Sequence, residues 1–362
     1  MSDHAGRITR ARKAMTDAGV DFLLLSVGTD LPYLTGYEAM PSERLTMAII
    51  PLEGTASLVV PELEAPRVEV DPEVCSVLAW GEHERPVDLV GAMVAGASRV
   101  AIGDHTWSRF LLALQQRVSE IRFVPASTIT APLRLVKDDT EIALLSAAGA
   151  AADRVAARLA DQRFSGRTER NLARFIADAL VEEGHDTAAF TIVASGPNGA
   201  SPHHEPTDRV IETGDTVVLD FGGRIGGYCS DTTRTFSVGE SPTEVAATYA
   251  VLRMAQQAGF EAVRPGVAAE SIDAATRRVL DDAGYGRHFI HRTGHGIGLE
   301  VHEDPYLIAG NRRPLERGMA FSVEPGVYVP GRFGMRIEDI VVVTTDGGRR
   351  LNESSRELVA VG

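Results

Sequence analysis

The chain has 362 residues, 44% of them hydrophobic, with a formal net charge of -14 and a pI near 5.2. That length predicts two domains with real cores, and the acidic balance argues against nucleic-acid or anionic-membrane binding. Two cysteines, Cys75 and Cys229, support no disulfide framework, no signal-peptide core opens the sequence, and no apolar run is membrane-spanning, so a soluble cytoplasmic protein is expected.

Spacing of apolar residues predicts a helix over 7–18, a buried strand over 22–27, and a turn with an aromatic anchor over 30–37. Strands are predicted at 45–50, 56–60, 74–79, 99–102 and 121–124, and helices at 86–95 and 107–118. Strands and helices alternate, so this part reads as an α/β domain with a mixed sheet. It holds no cluster of catalytic residue types. Near residue 130 the texture changes. Pro125 and Pro132 punctuate a connector, and Asp138 with Glu141 forms a capping box for a helix over 140–161. The expected domains are 1–132 and 133–362.

The second domain repeats itself. A helix running from Gly166 to Gly184 is matched, at an offset of 100, by one running from Gly266 to Gly284. Each follows a longer helix, 140–161 and 242–263, the latter opened by an expected capping box at Ser241–Glu244 with Pro242 at the first helical position. A strand carrying Asp220 then matches one carrying Glu324, and second strands carry Asp231 and Glu338. Facing halves would bring the four acids together.

Carboxylates inside strand-forming runs are expensive to bury unless paired or metal-bound, and four of them crowded together repel. Two divalent cations neutralise them. Between the two acidic pairs lies His291-Arg292-Thr293-Gly294-His295-Gly296-Ile297-Gly298, whose glycines predict a loop in close approach to something. One histidine with four carboxylates is a hard site suited to Mn²⁺, Co²⁺ or Fe²⁺. Two such ions, about 3.5–4 Å apart, can hold a bridging hydroxide.

These motifs resemble the pita-bread metallopeptidases: the Asp220 and Asp231 hairpin, Gly294-His295-Gly296-Ile297-Gly298, Glu324-Pro325-Gly326 and Arg336-Ile337-Glu338-Asp339. Leu31-Pro32-Tyr33-Leu34-Thr35-Gly36-Tyr37 resembles the N-terminal domain of the creatinase, aminopeptidase P and prolidase branch. The resemblance implies an α/β creatinase-like N-terminal domain and an α+β pita-bread domain with an internal pseudo-twofold repeat. It implies Asp220, Asp231, His295, Glu324 and Glu338 as ligands of two divalent ions, Mn²⁺ first and Co²⁺, Fe²⁺ or Zn²⁺ as alternatives. Glu324 would also be the general acid/base.

By the same resemblance His203, favoured over His204, contacts substrate, and His302 stabilises the intermediate. The two are 99 residues apart, close to the repeat offset. His291 shapes the loop or lines the pocket. Arg336 precedes Glu338 by two, so on a strand both face one side; it orients that ligand or binds a substrate carboxylate. Cys229 reads as a buried structural thiol. Tyr306 stands where some prolidases carry an arginine for the substrate carboxylate. The implied activity is hydrolysis of the Xaa-Pro bond in dipeptides by a homodimer. The alternatives are an aminopeptidase P acting on longer Xaa-Pro peptides, a metal-free creatinase-like hydrolase, and a non-enzymatic binding protein.

Overall fold

A computed structural model describes residues 3–362. The chain divides into two compact units, one ending at Arg134 and one spanning Leu135–Gly362. Among the described residues no helix is long and apolar enough to cross a membrane.

The first unit is a six-stranded sheet in the order Cys75–Trp80, Ala56–Pro61, Met47–Pro51, Phe22–Leu25, Arg99–Ile102, Arg122–Pro125. Its middle strand pairs antiparallel on one side and parallel on the other, so the sheet is mixed as expected. Helices Pro86–Met93 and Ser108–Arg117 cover it, and Val90, Phe110 and Leu114 pack with Leu24, Ile49 and Val100. The expected turn over 30–37 is instead a short helix, Asp30–Thr35, stopped by Gly36 in the left-handed region at φ 78°. Leu31, Tyr33 and Leu34 are all buried there. Burial of three large side chains on one turn outweighs the turn preference of the Asp-Leu-Pro sequence.

The second unit contains the repeat, visible in its hydrogen bonds. Helices Glu169–Glu182 and Ala269–Asp282 each begin at an isolated β-bridge, Thr168 to Val210 and Ala268 to Pro314. The Glu169 amide donates to the Arg209 carbonyl as Ala269 does to Arg313, and Ile211 donates to Arg167 as Leu315 does to Val267. Each half carries its own sheet. The first runs Val359–Val361, Thr232–Val238, Thr216–Ile225, Thr187–Ser195; the second runs Glu303–Leu307, Gly294–Gly296, Ala320–Val323, Asp339–Val343, Gly348–Arg350. One apolar core joins the first helix pair to the first sheet through Ile176, Leu219 and Phe236, and another joins Ile272 to Phe321 and Val341.

The first long helix, Asp139–Ala160, carries the expected capping box between Asp138 and Glu141. The box expected at Ser241–Glu244 does not form. The helix is Thr243–Ala262, its N-cap is Pro242, and no side chain caps it. Proline there is extended at ψ 144° and ends the preceding segment, which puts Glu244 one position too early to reach back. Glu244 pairs with Arg332 instead, at 2.6 Å.

Candidate active site

Asp220 sits at the centre of its sheet, in strand Thr216–Ile225 between Ile192 and Thr233 of the neighbouring strands. Asp231 and Glu338 were expected within second strands. Each instead occupies the position just before one, Thr232–Val238 and Asp339–Val343. The backbone leaves the ladder at these points; the Glu338 amide donates to the Thr233 carbonyl, which belongs to the other half of the repeat, at 3.1 Å. Glu324 likewise follows strand Ala320–Val323 directly. The last three positions free their carboxylates from strict alternation across a sheet and let them converge on Asp220.

His295 was expected on a loop and lies on a three-residue strand, Gly294–Gly296, paired on both sides. The close approach read from its glycines is real. A Cβ at Gly294 would stand 1.9 Å from the Ser322 carbonyl oxygen, and one at Gly296 would stand 2.1 Å from that of Asp304. Only glycine lets the strands close around the histidine. Its Nδ1 faces the Gly296 carbonyl at 3.1 Å, which directs Nε2 at the acids. Nε2 lies 3.1 Å from Glu324 Oε1 and 3.6 Å from Asp231 Oδ2.

Donor atoms of Asp220, Asp231 and Glu338 lie within 4.8 Å of one another, as do those of His295, Glu324 and Glu338. A third set at the same spacing joins Asp231 and His295 to His302. All of these residues line one cavity of about 780 Å³, together with His203, His291 and Arg336. Tyr306 does not line it.

The electrostatics call for a cation. Burial pushes Asp231 and Glu338 well above the ordinary carboxylate range, and the neighbouring acids push them further. Burial also acts upward on Glu324, but His295, His291 and Arg336 hold it low. Asp220 Oδ1 and Glu338 Oε1 are buried and, among the described residues, without a hydrogen-bond partner. A buried acceptor left bare costs about 1–3 kcal/mol, more when charged. Bare oxygens, an available imidazole nitrogen and mutually repelling acids form a donor set that fits divalent metal.

Arg336 was expected to orient Glu338 or to bind a substrate carboxylate. It ends strand Phe333–Arg336, and it reaches Glu338 through Thr233, whose hydroxyl contacts both side chains. Its Nη2 donates to Asp220 Oδ2 at 2.6 Å, its Nε to Thr233 Oγ1 at 3.0 Å, and its Nη1 to the Tyr328 hydroxyl at 2.9 Å. That hydroxyl reaches His291 Nε2 at 2.9 Å, while His291 Nδ1 reaches the Arg292 carbonyl at 2.7 Å. Both His291 nitrogens are thus occupied. His302 is held near 4 by partial burial and by neighbouring His295 and Arg292, so it is neutral at pH 7. His203 faces the cavity, whereas His204 turns to Glu169 at 2.9 Å. Cys229 is buried, with its thiol pushed up to about 11 by desolvation.

Several contributors have no signature in the sequence. Thr233 donates to Glu338 Oε2 at 2.7 Å, and Ser322 donates to Glu324 Oε1 at 3.0 Å while accepting the His295 amide. Tyr328 and Arg292 are also in this group. Thr233 meets Glu338, Ser322 meets the His295 amide and Tyr328 meets His291 across distant segments, and no spacing rule reports such contacts.

Comparison with known proteins agrees with the geometry. Residues 143–345 match metallopeptidase family M24, and residues 7–136 match the creatinase/prolidase N-terminal domain. A probable dipeptidase, PepE, from Mycobacterium tuberculosis is 47% identical over 99% of this chain and 96% of its own. The Xaa-Pro dipeptidase of Lactobacillus helveticus is 34% identical over 97% of this chain and 98% of its own. The crystal structure of recombinant prolidase from Thermococcus sibiricus superposes with a TM-score of 0.95 at 35% identity, covering 100% of both chains. With its pita-bread fold, its creatinase-type N-terminal domain and these relatives, the chain belongs to metallopeptidase family M24 and is a peptidase.

Proposed function

We propose that the protein hydrolyses the Xaa-Pro bond of dipeptides, using two divalent ions held by Asp220, Asp231, His295, Glu324 and Glu338. The observation that carries the metal assignment is the convergence of these five side chains with two bare, buried carboxylate oxygens. Bound by these residues, divalent ions would polarise the scissile carbonyl and lower the pKa of the attacking water. Glu324 carries the proton between water and leaving nitrogen, oriented by Ser322 and His295. His302, neutral and on the cavity wall, donates to the developing oxyanion, and His203 orients the substrate from the same cavity. His291, tied on both nitrogens, keeps the wall in shape.

Proline supplies a tertiary amide with no N–H, so a site working through the carbonyl and the free amine suits it. A dipeptide also presents a carboxylate one residue beyond the cleaved bond. Arg292 lines the cavity, and its guanidinium lies 4.3 Å from the centroid of the Tyr306 ring. Tyr306, where an arginine was expected, thereby supports an arginine contributed from elsewhere. Arg292 is the group we assign to the dipeptide carboxylate; Arg336 is committed to Asp220. Mn²⁺, a homodimer and a cytoplasmic location belong to the same reading, on ligand hardness and family resemblance.

With added Mn²⁺, kcat/KM for Ala-Pro is expected to exceed that for both Ala-Pro-Ala and Ala-Ala. A preference for the tripeptide makes the protein an aminopeptidase P, and equal cleavage of Ala-Ala rejects proline specificity. Arg292→Met should raise KM for Ala-Pro about tenfold or more, the scale of one charge-assisted hydrogen bond, and leave Ala-Pro-amide nearly unchanged. Equal losses on acid and amide would remove Arg292 from carboxylate recognition.

A further inference from the structure

The segment that delivers His203 to the cavity hangs from one buried carboxylate. Glu169 is the first residue of helix Glu169–Glu182 and is 0% exposed. Its Oε1 accepts from the Ser195 amide at 2.8 Å, the Ser195 hydroxyl at 2.7 Å and Asn198 Nδ2 at 3.0 Å. Its Oε2 accepts from His204 Nε2 at 2.9 Å, the Thr207 amide at 3.0 Å and the Thr207 hydroxyl at 2.7 Å. The donors span 195–207 and enclose His203. Their number outweighs burial and holds the Glu169 carboxyl down at about 2.

The same segment is gripped from the metal side. Arg336 Nη1 donates to the Pro202 carbonyl at 3.3 Å while Nη2 of the same guanidinium holds Asp220. A Cβ on Gly334 would stand 1.6 Å from the Gly199 carbonyl oxygen, so the backbones touch there. His203 is therefore bracketed between Glu169 and the arginine that fixes a proposed metal ligand.

The other half of the repeat uses a similar device. Asp273, 1% exposed on helix Ala269–Asp282, accepts from both the Thr293 amide, at 3.1 Å, and its hydroxyl, at 2.8 Å. It also pairs with Arg277, which donates to the carbonyls of Phe289 and His291. In both halves, a buried helix carboxylate takes two hydrogen bonds from one threonine within four residues of a histidine of the cavity.

We propose that Glu169 is a positioning residue for His203, setting where the 195–207 segment holds that imidazole over the cavity and hence the rate of hydrolysis, not metal affinity. This rests on the peptidase reading above. Glu169→Gln turns one carboxylate oxygen into an NH₂ group, which cannot accept from the backbone amide aimed at it. Because a displacement near 1 Å can cost about 10²-fold, kcat for Ala-Pro should fall about tenfold or more with metal content unchanged. In a His203→Ala background the same substitution should cost nothing further. If Glu169→Gln does not fold, Thr207→Val, which lacks one donor, should reproduce this pattern, and Thr207→Ser, which keeps both, should restore kcat. Equal losses with and without His203, or no loss at all, would overturn the proposal. The ring resonances of His203 give a readout that needs no substrate: they should move in Thr207→Val and not in Thr207→Ser. A wild-type enzyme inert on every Xaa-Pro peptide would defeat the activity reading alone; the positioning role would then stand or fall on those resonances.

Discussion

Asp231→Asn is expected to empty the metal site and remove nearly all turnover. Asp231 belongs to two of the three donor sets, one with Asp220 and Glu338 and one with His295 and His302. It is 3% exposed, so no solvent replaces the lost charge. Asparagine keeps the volume and one oxygen but removes the negative charge that a shared divalent ion needs most. Loss of an outer partner of a metal site costs about 10–100-fold, and loss of a shared ligand should exceed that. Metal analysis after gel filtration should find less than half the wild-type occupancy, and kcat/KM should fall by more than about 10³-fold, beyond the range of outer partners. Asp231→Asn protein with full occupancy and near-normal turnover would remove Asp231 from the ligand set. The informative control is His302→Ala. If His302 acts on the substrate, metal is retained; if the third donor set is used, occupancy falls with it.

The sequence revealed most about what repeats and what is chemically costly. Matched helices and acids at an offset near 100 predicted the two halves, and the bridges at Thr168 and Ala268 bear them out. Glycines around His295 predicted a close approach, because nothing else needs three missing side chains so near a histidine. Their conformation was not legible, since Gly294 and Gly296 form a strand only through partners at Glu303, Leu307 and Phe321. The placement of Asp231 and Glu338 just outside their strands was hidden for a similar reason. Local β-propensity continues through both acids, and only packing between halves decides where each ladder starts. Arg336 illustrates the limit most clearly. Two-residue spacing placed it beside Glu338, which it reaches through Thr233, but its direct salt bridge to Asp220 in the other half had no signal. Glu169 and Thr207 gave no sign, since their roles exist only once residues 38 apart meet.

Removing the metal is expected to lower stability strongly, and Asp231→Asn should change sign between the two states. Each ion at about 100 times its Kd contributes about 2.7 kcal/mol to the folded state. A domain of about 150–250 residues shifts Tm by about 2–4 °C per kcal/mol. Two ions therefore correspond to a fall of at least about 10 °C on chelation, read by scanning calorimetry of the intact chain. Without metal, the wild-type protein keeps four carboxylates crowded around one arginine and one histidine, two of them with bare oxygens. Deleting one of those charges relieves repulsion, so metal-free Asp231→Asn should unfold at a higher temperature than metal-free wild type. With metal supplied the order should invert, because only the wild type then gains the binding energy. Thr233 and Ser322, which donate to Glu338 and Glu324, remain in both proteins and cannot produce the inversion. An Asp231→Asn protein less stable than wild type under both conditions would mean that the acids are held by the fold itself and that the ions add little to it.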